Sequence, residues 1–234
     1  MTEALARCRG LVMDYGSGTR IGPLDLDVNG NSALALVGVN GAGKTTLLHM
    51  LLGLRLPTVG QVSLLGIPSG RPESRQGVGY LPEAVDFPER SRALDLLRLH
   101  AGLTRSALKS EQDFERYLED FGLELTDKPL RIYSKGMKQR LALAIAMMDC
   151  RRLLILDEPN SGLDPVGIAM LRRKLDGLKS QGVGLIISTH RLAEVMQVAD
   201  RAVVIHGGKI SGDSPMSEFA DFNAFEKFFL EKAG

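Results

Sequence analysis

The sequence predicts an α/β fold: a mostly parallel sheet flanked by helices, with an antiparallel β subdomain before it and a helical subdomain inserted within it. Three observations carry this. First, short unbroken apolar runs recur at residues 33–37 (ALALV), 153–156 (LLIL), 185–187 (LII) and 202–205 (AVVI), each fitting a strand buried on both faces. Second, residues 165–179 and 191–198 carry charged and apolar positions at helical spacing, and strands alternating with helices imply parallel pairing. Third, residues 87–148 hold helical patterns at 93–100, 112–121 and 137–148 with no strand between them, so they read as a helical insert.

The N-terminal part behaves differently. Before Gly30 apolar and polar residues alternate, as in IGPLDLDVNG, the pattern of antiparallel strands packed on one side. With 234 residues, 44% hydrophobic and 24% charged, the chain has the balance of an ordinary globular protein. A single domain over 1–234 is expected, its helical subdomain at about 87–150, with little room after residue 210 for a regulatory domain. Lys and Arg total 29 against 28 Asp and Glu, and a net charge of +1 provides no field to attract nucleic acid, so no nucleic-acid partner is expected. The start, MTEALARCRG, lacks the apolar stretch of a secretion signal, and no apolar run approaches the ~18 residues that cross a bilayer. Cys8 and Cys150 lack metal-ligand spacing and read as reduced thiols of a cytosolic protein.

The chemistry concentrates after the first apolar run. Residues 38–45 read GVNGAGKT and satisfy G-x-x-x-x-G-K-[ST] between an expected strand and the helical run TLLHMLLGL. Phosphates are clustered negative charge. Glycines let backbone N–H groups approach them closely, and the helix starting near Lys44 adds its positive end. Lys44 supplies a point charge to the outer phosphates, and the Thr45 hydroxyl a ligand for Mg²⁺. The expected nucleotide-binding set is Gly38, Asn40, Gly41, Ala42, Gly43, Lys44, Thr45 and Thr46. The motif fixes a nucleoside triphosphate without choosing among a kinase, a GTPase, a helicase and a transporter motor.

A second acidic signal follows. RLLILDEP ends a buried strand in Asp157 and Glu158, where a parallel sheet meets its ligand crevice. Asp157 is expected to hold Mg²⁺ and Glu158 to position or deprotonate the attacking water. Successive strand residues point to opposite faces, so Glu158 must turn at the strand's end.

Between these motifs lies YSKGMKQR, residues 133–140, followed by the helical run LALAIAMM. In that order the residues resemble the ATP-binding cassette (ABC) family, the motor subunits of ABC transporters, which implies a P-loop NTPase (RecA-like) core. The family's signature normally reads Ser-Gly-Gly-Gln. Here Ser134 and Gly136 match, while Lys135 and Met137 depart. The resemblance implies that Ser134, Gly136 and Met137 serve the γ-phosphate of an ATP held by another chain, so that two copies, identical or related, close around two nucleotides.

Other segments agree in order. NSGLDP, with Ser161 and Asp164, resembles the family's seam-crossing loop, and His190, after Ser188 and Thr189, resembles its switch histidine. Tyr15 resembles the aromatic that stacks on adenine. GVGYLPE, residues 77–83, resembles the segment joining core to insert, with Glu83 in place of the usual Gln and still able to ligate Mg²⁺. The resemblance spans about residues 15–210. It implies an ATPase with Mg²⁺ as cofactor, peripheral on the cytoplasmic side of the inner membrane beneath a separate integral-membrane permease and of bacterial export type. Two other readings remain: a cassette ATPase acting on DNA, ribosomes or another protein with no permease, and a non-catalytic nucleotide-gated module.

Overall fold

The computed structural model describes residues 4–16 and 18–234, so the first three residues of the MTEALARCRG stretch lie outside the described residues. Two sheets organise the chain. The smaller is antiparallel, built from β1 (Ala6–Asp14), β2 (Arg20–Val28), β4 (Val59–Leu64) and β5 (Ile67–Pro68) in the order β2-β1-β4-β5. The larger takes β3 (Ala33–Val37), β6 (Val78–Leu81), β7 (Leu153–Asp157), β8 (Gly184–Thr189), β9 (Arg201–His206) and β10 (Lys209–Pro215) in the order β10-β9-β3-β8-β7-β6. Among the described residues only β9 and β10 pair antiparallel in this sheet.

The unbroken apolar runs are strands because both of their faces are covered. Every residue of β3, β7 and β8 is buried. In β7 the side chains alternate between two cores: Leu154 and Leu156 join the helical insert, whereas Leu153 and Ile155 join the layer between the sheets. That inner layer is closed by α1 (Lys44–Leu51), whose Leu47, Leu48 and Leu51 meet Leu11, Leu24 and Leu26 of the antiparallel sheet.

The insert consists of α2 (Ala93–Thr104), α3 (Glu111–Glu119) and α4 (Lys135–Met147), with Leu97, Phe114, Phe121 and Leu141 packed against one sheet face. Three of its boundaries differ from expectation by two residues or more, one being the start of α4 at Lys135 instead of Met137. α2 runs past His100 until Arg105 takes a left-handed conformation (φ 56°), and α3 ends at Glu119, short of Phe121. Caps set the later helix starts. The Ser134 hydroxyl accepts the Met137 N–H (3.1 Å) ahead of α4, and Asp164 accepts the Gly167 N–H (2.7 Å) ahead of α5 (Pro165–Ser180).

Other elements escaped the sequence reading. β6 carries Gly79, where a Cβ would fall 2.1 Å from the Ala146 carbonyl oxygen; close approach to α4, not strand propensity, dictates the residue. After α6 (Leu192–Val198), the chain adds α7 (Phe222–Ala233), which seats Phe225 among Phe219, Phe228 and Val195. Burial pushes the Cys8 thiol up to about 12 and that of Cys150 up to about 11, so both stay protonated. Among the described residues no helix is long and apolar enough to cross a membrane.

Candidate active site

The chemistry-bearing segments leave the carboxyl ends of neighbouring parallel strands, where ligands meet such sheets. The phosphate-loop sequence follows β3, Glu83 follows β6, Asp157 and Glu158 end β7, and His190 follows β8. Together with Tyr15 from the β1–β2 loop, residues 40–46, Glu83, Asp157 and Glu158 line an open cleft of about 630 Å³.

The loop's glycines are required by its surroundings. A Cβ on Gly38 would lie 2.4 Å from the Ile205 carbonyl oxygen, and Gly43 holds φ 110° directly against the Ile21 side chain. Lys44 is 7% exposed, and its Nζ donates to the carbonyls of Gly38 (2.7 Å) and Val39 (3.2 Å). Burial holds its pKa below the usual lysine range, opposed by the carboxylates of Glu158, Asp157 and Glu83. The ammonium is thus parked on loop carbonyls, a charge that a phosphate would draw out.

Asp157 is 1% exposed, and a carboxylate so buried needs donors. Thr45 Oγ1 donates to Oδ2 (2.7 Å) and Ser188 Oγ to Oδ1. Ser188 reaches it because the parallel register sets it opposite Asp157. Glu158 meets the turning requirement by leaving the strand: its φ of 48° is left-handed, and its N–H bonds the Ser188 carbonyl (3.1 Å). Both carboxylates therefore line one cleft. His190 Nδ1 lies 2.8 Å from Glu158 Oε1, within hydrogen-bond distance.

Tyr15 is 42% exposed, its hydroxyl 2.7 Å from Thr46 Oγ1, with the Arg55 guanidinium 5.0 Å over its ring. An open ring beside the cleft suits stacking on a base. The sequence reading missed Arg55, Thr19, Ile21 and the Ser188–Asp157 bond, none of which carries a local signature.

Among the described residues no three His, Cys, Asp or Glu side chains converge as a metal cage. The donors present, the Thr45 hydroxyl and the Asp157 carboxylate with Glu83 across the cleft, are hard oxygens that fit Mg²⁺ completed by phosphate oxygens and water. Ser134, Gly136, Met137 and Asp164 lie elsewhere, and none of them lines the cleft. Ser134 and Met137 are exposed, and Gly136 packs so closely that a Cβ would sit 3.0 Å from the Gly162 carbonyl oxygen. The Asp164 carboxyl is held below the usual carboxylate range, first by the Gly167 N–H and then by Arg140 (2.7 Å).

Fold and cleft define a P-loop NTPase: a parallel sheet that presents a glycine-rich loop, a helix N-terminus and a paired Asp–Glu to a nucleoside triphosphate. The ABC transporter family model matches residues 21–161, more than half of the chain, and the chain belongs to that family as an ATP-hydrolysing, nucleotide-binding subunit. It is 35% identical to the bacitracin transport ATP-binding protein BcrA of Bacillus licheniformis over 94% of this chain and 73% of that protein. It is also 35% identical to the lantibiotic transport ATP-binding protein SrtF of Streptococcus pyogenes, over 88% and 89%. A solved ATP-binding subunit of an ABC transporter superposes with TM-score 0.83 at 28% identity, covering 98% of this chain and 95% of its own.

Proposed function

We propose that the cleft is one half of a composite ATPase site, completed by the signature turn of a second chain. The observation that carries this is spatial: Ser134 caps an exposed helix start, yet neither it nor Gly136 or Met137 reaches the cleft that holds Lys44, Asp157 and Glu158. A helix N-terminus with an exposed hydroxyl suits a phosphate presented by another copy.

Within one chain the roles follow from position. Tyr15 stacks on adenine. The backbone of residues 38–43 and Thr46 cradle the phosphates, and Lys44 swings from the Gly38 and Val39 carbonyls to the outer ones. Mg²⁺, held by Thr45 and Asp157 with Glu83 nearby, supplies neutralisation of phosphate charge. Glu158 takes the proton of the attacking water, and His190, already on its carboxylate, holds it in place and meets the γ-phosphate. Asp164 marks the seam.

ATP binding then joins two copies, identical or related, and hydrolysis releases them, driving a separate integral-membrane permease from the cytoplasmic side. The insert and the Glu83 segment transmit the motion. Likeness to proteins named for bacitracin and lantibiotic transport supports an export-type system, and the near-zero net charge speaks against a nucleic-acid partner.

Mixing two crippled chains tests the composite site. A Lys44→Ala chain keeps its signature turn, and a Ser134→Arg chain keeps its phosphate loop. Each alone is expected to be nearly inactive, while the mixture regains ATP hydrolysis through the one site assembled from both intact halves. A mixture no more active than the sum of its parts overturns the proposal.

A further inference from the structure

The helix that begins at Ser134 is fastened to the loop that carries Glu158. One turn into α4, Gln139 is 4% exposed, and its Nε2 donates to the Pro159 carbonyl oxygen at 2.9 Å. Two further contacts run in parallel. Arg140 pairs with Asp164 (2.7 Å), and Gly136 and Gly162 pack closely: a Cβ on Gly136 would lie 3.0 Å from the Gly162 carbonyl oxygen, and one on Gly162 would meet the Lys135 stem at 2.9 Å.

The position of the Gln139 bond is what matters. Glu158 is a non-glycine residue at φ 48°, a conformation that persists only when its surroundings hold it. On its upstream side its N–H is fixed by the backbone carbonyl (3.1 Å) and the hydroxyl (3.3 Å) of Ser188. On its downstream side the next carbonyl, that of Pro159, is held by the Gln139 amide.

We infer that Gln139 is a positioning residue for the reaction: by fixing the Pro159 carbonyl it keeps the Glu158 carboxylate aimed at the attacking water. This rests on the reading of Glu158 given above and adds to it a route between sites, because the turn that faces the partner's nucleotide and the carboxylate of the chain's own site become two ends of one fastened unit. Gln139 does not line the cleft, so the effect falls on turnover, not on ATP binding.

The test compares steady-state ATP hydrolysis and melting temperature for the full chain, Gln139→Met, Gln139→Glu, Glu158→Gln and the Gln139→Met/Glu158→Gln double variant. Met keeps the volume without a donor, and Glu keeps the shape but turns an acceptor toward a carbonyl. Both are expected to lower kcat by about 10- to 100-fold, as small misplacements of a catalytic group do. KM for MgATP should stay within about threefold. Since Gln139 acts through Glu158, the double variant should be no slower than Glu158→Gln alone.

Unchanged kcat in Gln139→Met overturns the inference. So does a double variant slowed by the same factor as in the native background, or a pair of Gln139 variants that do not fold, since each marks a structural role only. Full turnover in Glu158→Gln would instead sink the reading of Glu158 itself.

Discussion

Replacing Glu158 by Gln isolates the proton-accepting step from everything else the residue does. The amide has the same length and can still pair with His190 Nδ1 across the 2.8 Å contact, so the left-handed turn and the cleft keep their shape. That contact joins side chains 47% and 13% exposed, and a hydrogen bond so placed is worth about 1 kcal/mol. The melting temperature should therefore move by only about 2 °C. Turnover should not be spared. A positioned general base contributes about 10²- to 10⁴-fold, which at 1.36 kcal/mol per decade is roughly 3–5 kcal/mol of barrier. The assay is phosphate release at saturating MgATP, with light scattering on the same sample to follow assembly. The variant should bind ATP, accumulate as a dimer and hydrolyse at least about a hundredfold more slowly. Native turnover, or slow turnover accompanied by lost ATP binding, would refute the assignment of Glu158 as base.

Gly38→Ala places a Cβ 2.4 Å from the buried Ile205 carbonyl oxygen, so backbone must shift between β3 and β9; a loss of about 1–3 kcal/mol is expected in urea unfolding. Unaltered stability would show that the strands accommodate the methyl group. Cys8 and Cys150, with thiols raised to about 12 and about 11 by burial, should resist Ellman's reagent at pH 8 in the native protein and both react after unfolding. Fast labelling of either native thiol contradicts that burial.

The local chemistry was legible in the sequence because it is written in contiguous residues. GVNGAGKT announces a phosphate loop, LLILDEP an acidic strand end, and Ser134 a helix cap, since backbone turns, buried strands and caps are each set within a few positions. The four apolar runs were all strands of the large sheet for the same reason: covering both faces demands an unbroken apolar stretch. β6 and α7 stayed hidden because contacts distant in sequence decide them: Gly79 yields to the Ala146 carbonyl, and Phe225 is buried only once β3, α6 and the Phe219 turn surround it.

The sequence by itself determined the residue types of a nucleotide site, their order and the strands that bear them. Only the tertiary structure decided how they meet. The register that sets Ser188 against Asp157, the left-handed turn that swings Glu158 onto His190, and the Gln139 amide on the Pro159 carbonyl each join segments twenty or more residues apart. The reason is physical: hydrogen-bond satisfaction of buried polar groups is a condition on the folded neighbourhood, and a linear pattern records which groups need partners without recording which partners they find.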